Sequence, residues 1–312
     1  MDNRDRVSSL LVQGYECLKN VDLGNASRFF DEALHMDFDD SEVLFALKCS
    51  EFWSECLESL KKIDPPLQRG DFVLAQWKSF CTFIVRIGGD FERAKYAFRR
   101  FAFGMALDFF LSIPDEQKKA LGIELEFRLG RCRKALGDYE TALIHLERAT
   151  KIRKDNAVCL AELADCYALS GEQNAAKILF REAFFLDPDK IDLDFIESDL
   201  VQKIADRVRQ LNYPADKIAE WIPVYAEIEG VFSVKRELTA QESSRLNSSM
   251  FSLENEIREN PSRAAALKPL LLNRYFWVLD NYKATNADEA KIDKLLQKVR
   301  VLDKDIYKQY LS

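Results

Sequence analysis

The sequence predicts an all-α chain in which stacked helix pairs form an interrupted α–α superhelix, or solenoid, followed by a helical carboxyl-terminal module. Three observations predict it. The skeleton Gly137-Asp138-Tyr139, Ala142, Leu146, Ala149 returns as Gly171, Ala176, Phe180, Ala183. Both Ala142 to Ala176 and Ala149 to Ala183 span 34 residues, the period of a helix-turn-helix element that stacks on its own copies. Only 11 glycines and 8 prolines occur in 312 residues, without the turn-rich spacing of strands. Hydrophobic residues make up 47% of the chain, enough to bury a continuous core.

Taken in order, the elements begin with a repeat at about 7–40. Gly14 takes its close-packing position, and Ala26, Phe30 and Ala33 match Ala176, Phe180 and Ala183. A long apolar segment, Val43 to Ile63, ends at Pro65-Pro66. A degenerate repeat at about 75–108 runs through Gly89-Asp90-Phe91, Ala94 and Phe98, with Thr82 and Phe101 where small residues are expected. A Phe-rich segment from Phe98 to Ile113 then stops at Pro114. The strong repeats follow at 123–156 and 157–190. In them Gly137 and Gly171 end the first helix, and Ala142 and Ala176 let the paired helices cross closely beside Leu129 and Leu163. Pro188 closes the last repeat. Gly24 to Gly89 is 65 residues and Gly89 to Gly137 is 48, neither a multiple of 34, so the array is interrupted. The expected division is a repeat domain at 1–190 and a helical module at 191–312.

This skeleton resembles the tetratricopeptide repeat, in the form of a bacterial-type scaffold. The resemblance implies that the first helix of each repeat lines a concave groove in which a partner peptide or helix is held. The groove positions it implies are Glu124, Phe127, Arg131 and Lys134, with Arg128 beside them, in one strong repeat, and Val158, Ala161, Asp165 and Leu169 in the other. Arg128, Arg131 and Lys134 stand three residues apart. They either grip an acidic peptide by charge-assisted hydrogen bonds or form a solvated basic face favoured at a helix carboxyl end. A chaperone-type carboxylate clamp is not implied, because Leu11 and Tyr15 stand where that subfamily has Lys and Asn.

After Pro188 the repeat stops but helices continue. One is expected from about Phe195 to Leu211. Another opens at Pro214, carries Trp221, Tyr225 and Ile228, and ends at Gly230. A polar stretch from Ser233 to Arg263 holds seven serines. Within it Thr239 and Glu242 form a capping box, and Leu246, Met250, Leu253 and Ile257 recur at alternating steps of four and three. Such a narrow stripe suits either a coiled-coil seam or a helix docked on its own domain. Leu271, Tyr275, Leu279 and Tyr282 form a further stripe. Asn286 with Glu289 is expected to open a last helix with a second seam, Ile292, Leu295, Val299, Leu302 and Ile306.

A net charge of −7 argues against a nucleic-acid partner. No apolar run is long enough for membrane insertion, and the charged start has no signal-like core, so a cytoplasmic location is expected. Seven scattered cysteines without a Cys-x-x-Cys suit a reducing compartment and packing roles, and His35 and His145 lie in different repeats. No phosphate loop, calcium loop or other catalytic signature occurs, so no enzyme, cofactor or metal is expected. The leading reading is a protein-binding scaffold or adaptor. The alternative is a homo-oligomer built through the two seams, as a component of a bacterial envelope or motility assembly. A repeat-fused enzyme or ligand sensor comes last.

Overall fold

The computed structural model describes residues 3–232 and 237–312. Met1, Asp2 and Ser233, where the polar stretch opens, lie outside them. Every regular element among the described residues is helical. The chain divides into two compact units, residues 1–152 and 153–312, so the boundary expected at 190 falls inside the second.

The first unit contains α1 (Asn3–Lys19), α2 (Leu23–Met36), α3 (Ser41–Leu60), α4 (Pro66–Ile87), α5 (Glu92–Leu111), the short α6 (Asp115–Leu121), α7 (Ile123–Ala135) and α8 (Tyr139–Ile152). The starts follow from local chemistry. The Asp22 carboxylate accepts from the Asn25 N–H, Asp40 accepts from the N–H groups of Glu42 and Val43, and Pro66 occupies the first helical position of α4.

Helices α1 and α2, α4 and α5, and α7 and α8 form pairs, and in each a glycine admits a large side chain from the second helix. A Cβ on Gly14 would stand 2.3 Å from Cε1 of Phe30, one on Gly70 2.3 Å from Cε1 of Phe110, and one on Gly130 2.6 Å from Cγ of Leu146. Gly14 therefore does what its sequence position implies. In the degenerate repeat the close approach belongs to Gly70 rather than to the position of Thr82, which is exposed. In the strong repeat Gly130 makes the closest contact, while Ala142 is fully buried beside it.

The turn between α1 and α2 also differs from expectation. Val21, not Gly24, occupies the left-handed region (φ 61°) that Gly137 (φ 83°) and Gly171 (φ 96°) fill elsewhere, and Gly24 lies in the first turn of α2. Counted from Val21, Gly89 is 68 residues on, twice the period. The interruption there is one of helix length: α3 and α4 have 20 and 22 residues, against 13 and 14 in α7 and α8.

Helix α5 packs on α1, α4 and α7. Ala94, Ala97, Phe98, Phe101, Ala102, Phe103, Met105, Ala106, Leu107 and Phe110 are all buried, so from Phe101 to Leu107 little of the helix faces water. With α5 at the centre, α3 meets α4 chiefly through rings. The Phe52 centroid lies 5.3 Å from Phe80 and 5.1 Å from Phe83, and Trp53 lies 5.5 Å from Phe80.

The second unit contains α9 (Ala157–Leu169), α10 (Gln173–Leu186), α11 (Asp199–Gln210), α12 (Ile218–Ile228), α13 (Ala240–Glu259), α14 (Ala264–Ala284), α15 (Glu289–Leu302) and α16 (Lys304–Leu311). The helix expected from Phe195 begins at Asp199, because Phe195 closes a 3-10 turn and Ser198 is extended. The capping box of Thr239 and Glu242 is formed in full. The helix expected to open at Asn286 is instead capped by Asp288, whose carboxylate accepts from the Ala290 N–H. Asn286 has φ 49° in the turn before it.

Helix α14 is the centre of this unit. Residues 271–279 are buried on every side. Two of its buried polar side chains reach the end of α10. Arg274 donates 2.7 Å to the Phe185 carbonyl and its guanidinium lies 4.1 Å from the Phe185 ring centroid, while Asn273 donates to the Phe184 carbonyl. Those carbonyls end α10 and have no partner within the helix. Burial pulls Arg274 down to about 10.

Gly70→Ala is expected to destabilise by about 1–3 kcal/mol, since the added methyl must displace the Phe110 ring. Gly24→Ala, whose Cβ meets nothing nearer than 3.8 Å, is the control. Urea unfolding followed by circular dichroism reads both. Equal midpoints for Gly70→Ala and the wild type would remove the close-approach account.

Candidate partner-binding surfaces

The groove positions on α7 do not form an open basic face. Arg128 grips Asp71 of α4 with two bonds, Nε to Oδ1 at 2.6 Å and Nη2 to Oδ2 at 3.0 Å. Its Nη1 donates to the Glu124 carboxylate at 3.0 Å. Arg131 lies over the half-buried Phe127 ring, 4.6 Å from its centroid. Lys134 is only 1% exposed. The three-residue spacing is real, but tertiary partners and burial have taken up the charge that an acidic peptide would need.

On α9 the corresponding face is covered by the unit's own chain. Asp165 is fully buried, and its carboxylate accepts from the N–H of Glu197 at 3.0 Å and of Ser198 at 2.8 Å. Ala161 is buried at 1%, Val158 and Leu169 are half-buried, and Ile191, Phe195 and Ile196 are buried in the segment that leads to α11. A carboxylate that sequence reasoning offers to a partner thus fixes the peptide before α11.

Both seams face inward. Leu246 is 2% exposed, and Met250, Leu253 and Ile257 pack against the core of the second unit. Leu295, Val299 and Ile306 are buried, with Ile292 and Leu302 against the same core. The second seam is also not one helix. Asp303 caps α16 by accepting from the N–H groups of Asp305 and Ile306, so Ile306 belongs to a separate helix. Neither stripe is left open for self-association.

Other candidate chemistry is likewise structural. Among the described residues no three His, Cys, Asp or Glu side chains converge as metal ligands do. His145 Nδ1 lies 2.7 Å from the Glu126 carboxylate. Cys49, Cys132, Cys159 and Cys166 are buried, and burial pushes the Cys49 thiol up to about 12. In the second unit a buried cluster joins α10, α12 and α14. Arg181 Nη2 sits 2.6 Å from Asp280 and 4.0 Å from Glu227, and the Arg181 guanidinium stacks on Trp277. Burial and the Asp280 charge push Glu227 up to about 7.

The open cleft of the first unit lies where sequence reasoning placed an interruption. Between α3 and α4 a hollow of about 540 Å³ is lined by Lys48, Glu51, Phe52, Glu55, Phe83 and Arg86, among others. A second hollow of about 320 Å³ shares Lys48 and Ile87 with it and runs on past Leu44 and Phe45 to Gly88-Gly89. The cause is the ring contact described above, because Phe52 and Phe83 hold the two helices apart where a glycine would have drawn them together. Neither histidine nor cysteine lines either hollow. The sequence did carry a signal: Leu44, Lys48, Glu51 and Glu55 recur at helical steps on one face of a segment too long for the repeat.

Residues 124–156, which include most of α7 and all of α8, match the family model described as tetratricopeptide repeat. The chain contains a tetratricopeptide repeat. Its matched repeat is the pair closed by Gly130 on Leu146. A comparison with curated proteins finds no match. Among the described residues no helix is long and apolar enough to cross a membrane.

Two expectations follow. Asp165→Ala removes the acceptor of two N–H groups, one of them at buried Ser198, and is expected to cost about 1–3 kcal/mol and to speed amide exchange at 191–198. Unchanged protection of that segment would contradict the capping role.

Glu227 binds its proton in the folded state between its ordinary value of 4.5 and about 7, so its stabilising share is complete below 4.5 and fades as pH rises to 7. Asp280 opposes its ionisation, and Arg181 and Lys283 favour it. Glu227→Gln should therefore gain about 1–3 kcal/mol at pH 8 relative to pH 4. A thermal-melt series showing the same pH slope for both proteins would refute this.

Proposed function

We propose that the protein is a non-enzymatic scaffold that holds a peptide or helix of another protein, and that the α3–α4 cleft of the first unit is where it does so. Tetratricopeptide repeats mediate protein–protein interaction, and the repeat match supports this class of function. The observation that carries the placement is the cleft itself: an aromatic floor, Phe52 and Phe83, open to solvent and flanked by charged rims. The faces of α7 and α9 support it less, because Arg128 and Asp165 already have partners within their own units.

A second argument concerns chemistry. Catalysis needs titratable groups that converge on one point, whereas Lys48, Glu51, Glu55 and Arg86 line the walls of a broad hollow without a nucleophile–base pair. An apolar floor with a polar rim is the anatomy of a binding surface. Self-association through the seams gains no support, since their apolar residues are packed in the second unit.

A photo-reactive residue at Thr82, which lines the cleft, should cross-link a discrete protein in the native cell, and Phe83→Ser should abolish that product. One at Glu140, exposed on α8, should not yield it. The same products from both sites would rule out the cleft as the docking place.

A further inference from the structure

The cleft has a direction in its charge. Helices α3 and α4 run past each other so that Cys56 meets Gln76, Phe52 meets Phe80 and Phe83, and Lys48 lies with Ile87. Along α3 the rim therefore reads Glu55, Glu51, then Lys48, and Arg86 adds a second cation on the α4 side near Lys48. Glu55 and Lys48 are seven residues apart, about 10 Å along the helix. One end of the cleft is acidic and the other basic, with the rings between them.

These charges are not taken up by the protein's own ion pairs. Some other cations of the first unit do sit on neighbouring carboxylates, as Lys19 on Glu16, Lys61 on Glu58 and Lys95 on Asp90. Lys48, Glu51 and Glu55 make no ion pair among the described residues, and Arg86 lies over the Phe83 ring, 5.8 Å from its centroid. Glu51 and Glu55 are moreover like charges at i and i+4, an arrangement that destabilises an isolated helix. A cation brought between them relieves that repulsion.

We infer that the cleft receives an amphipathic α-helix of a partner protein that carries a basic residue against Glu51 and Glu55, an acidic residue about two turns away against Lys48 and Arg86, and apolar side chains on Phe52 and Phe83 between them. The inference rests on the scaffold reading and adds the chemistry of the occupant. The two hollows together follow α3 from Glu55 to Ser41, about 21 Å at the helical rise, enough for four turns of a docked helix. The walls are themselves helices, and their ridges offer a third helix the grooves that helix packing uses. The apolar floor supplies attraction, and the split rim sets register and rejects helices of uniform charge.

The probes are three synthetic amphipathic helices with the same leucine stripe: one bipolar, with lysines at one end and glutamates at the other, one with lysines throughout and one with glutamates throughout. The full-length protein is titrated against each by fluorescence anisotropy. The wild type is expected to bind the bipolar helix about tenfold more tightly than either uniform one. The Lys48→Glu, Arg86→Glu double variant, altered only at exposed rim positions, is expected to prefer the all-lysine helix. Phe83→Ser should weaken all three together.

Equal binding of the three helices, still weakened by Phe83→Ser, would overturn the charge assignment and leave the scaffold reading in place. No binding of any helix would overturn both. Light scattering that shows a dimer lost on Phe83→Ser would overturn the partner helix in favour of a second copy of this chain.

Discussion

The burial of one helix at the centre of each unit is the constraint on which the other features depend. A helix surrounded by protein has no wet face on which to leave polar groups, and its neighbours must be arranged around its whole circumference. In the second unit α14 meets this demand by turning Asn273 and Arg274 onto the final carbonyls of α10, so the end of the last repeat and the core of the module satisfy each other. Cutting between them would leave an arginine and two carbonyls stranded, which is why the compact unit begins with the repeat and not after Pro188. In the first unit α5 occupies the same role with rings and alanines. It packs on α1, α4 and α7, and α3 meets it through Trp53 against Phe101 while meeting α4 through Phe52 and Trp53.

The sequence makes some of this legible and hides the rest for definite reasons. Gly137, Gly171 and the capping box of Thr239 and Glu242 act through local geometry, and Gly14 through the adjoining helix of its own pair, and such residues announce themselves at fixed spacing. The partners of Arg128 and Asp165 do not. Asp71 is 57 residues from Arg128, and Ser198 is 33 from Asp165, so only the folded chain brings them together. Reading outward-facing charge as available charge fails at such positions. The seam from Ile292 to Ile306 misleads for another reason, since its periodicity survives the break at Asp303 although the helix does not. The cap of Asp303 was present in the sequence, hidden within an unbroken apolar pattern. The close-approach glycine of the degenerate repeat was missed because α4 is longer than the template, so Gly70 lies ahead of the window in which a small residue is sought.

Buried charge is treated differently in the two units. Arg128 pairs at partly exposed positions, where solvent screens the bond and its contribution is modest. The cluster of Arg181, Glu227 and Asp280 is deep, and one arginine faces two carboxylates. Full ionisation of both would leave net negative charge in a poorly solvated place, so Glu227 retains its proton toward neutral pH. Such a cluster contributes definition of the α10, α12 and α14 contact more readily than net stability, because well-packed apolar side chains of similar volume often do as well in a core.

The repeat and its departures carry different parts of the function. The positions that match between repeats, Ala142, Leu146, Ala176 and Phe180, are all fully buried, and buried residues cannot select a partner. On α9 the surface that the family pattern reserves for partners is covered by the chain's own segment, held by Asp165. An accessible surface of the first unit is the wall of the interrupting helices, where Phe52 and Phe83 lie between Lys48, Glu51, Glu55 and Arg86. With the α9 face covered by its own segment, the proposed partner surface lies elsewhere. The proposed place is the one where irregular helix length prevented close packing, so the interruption that blurs the repeat also creates the site.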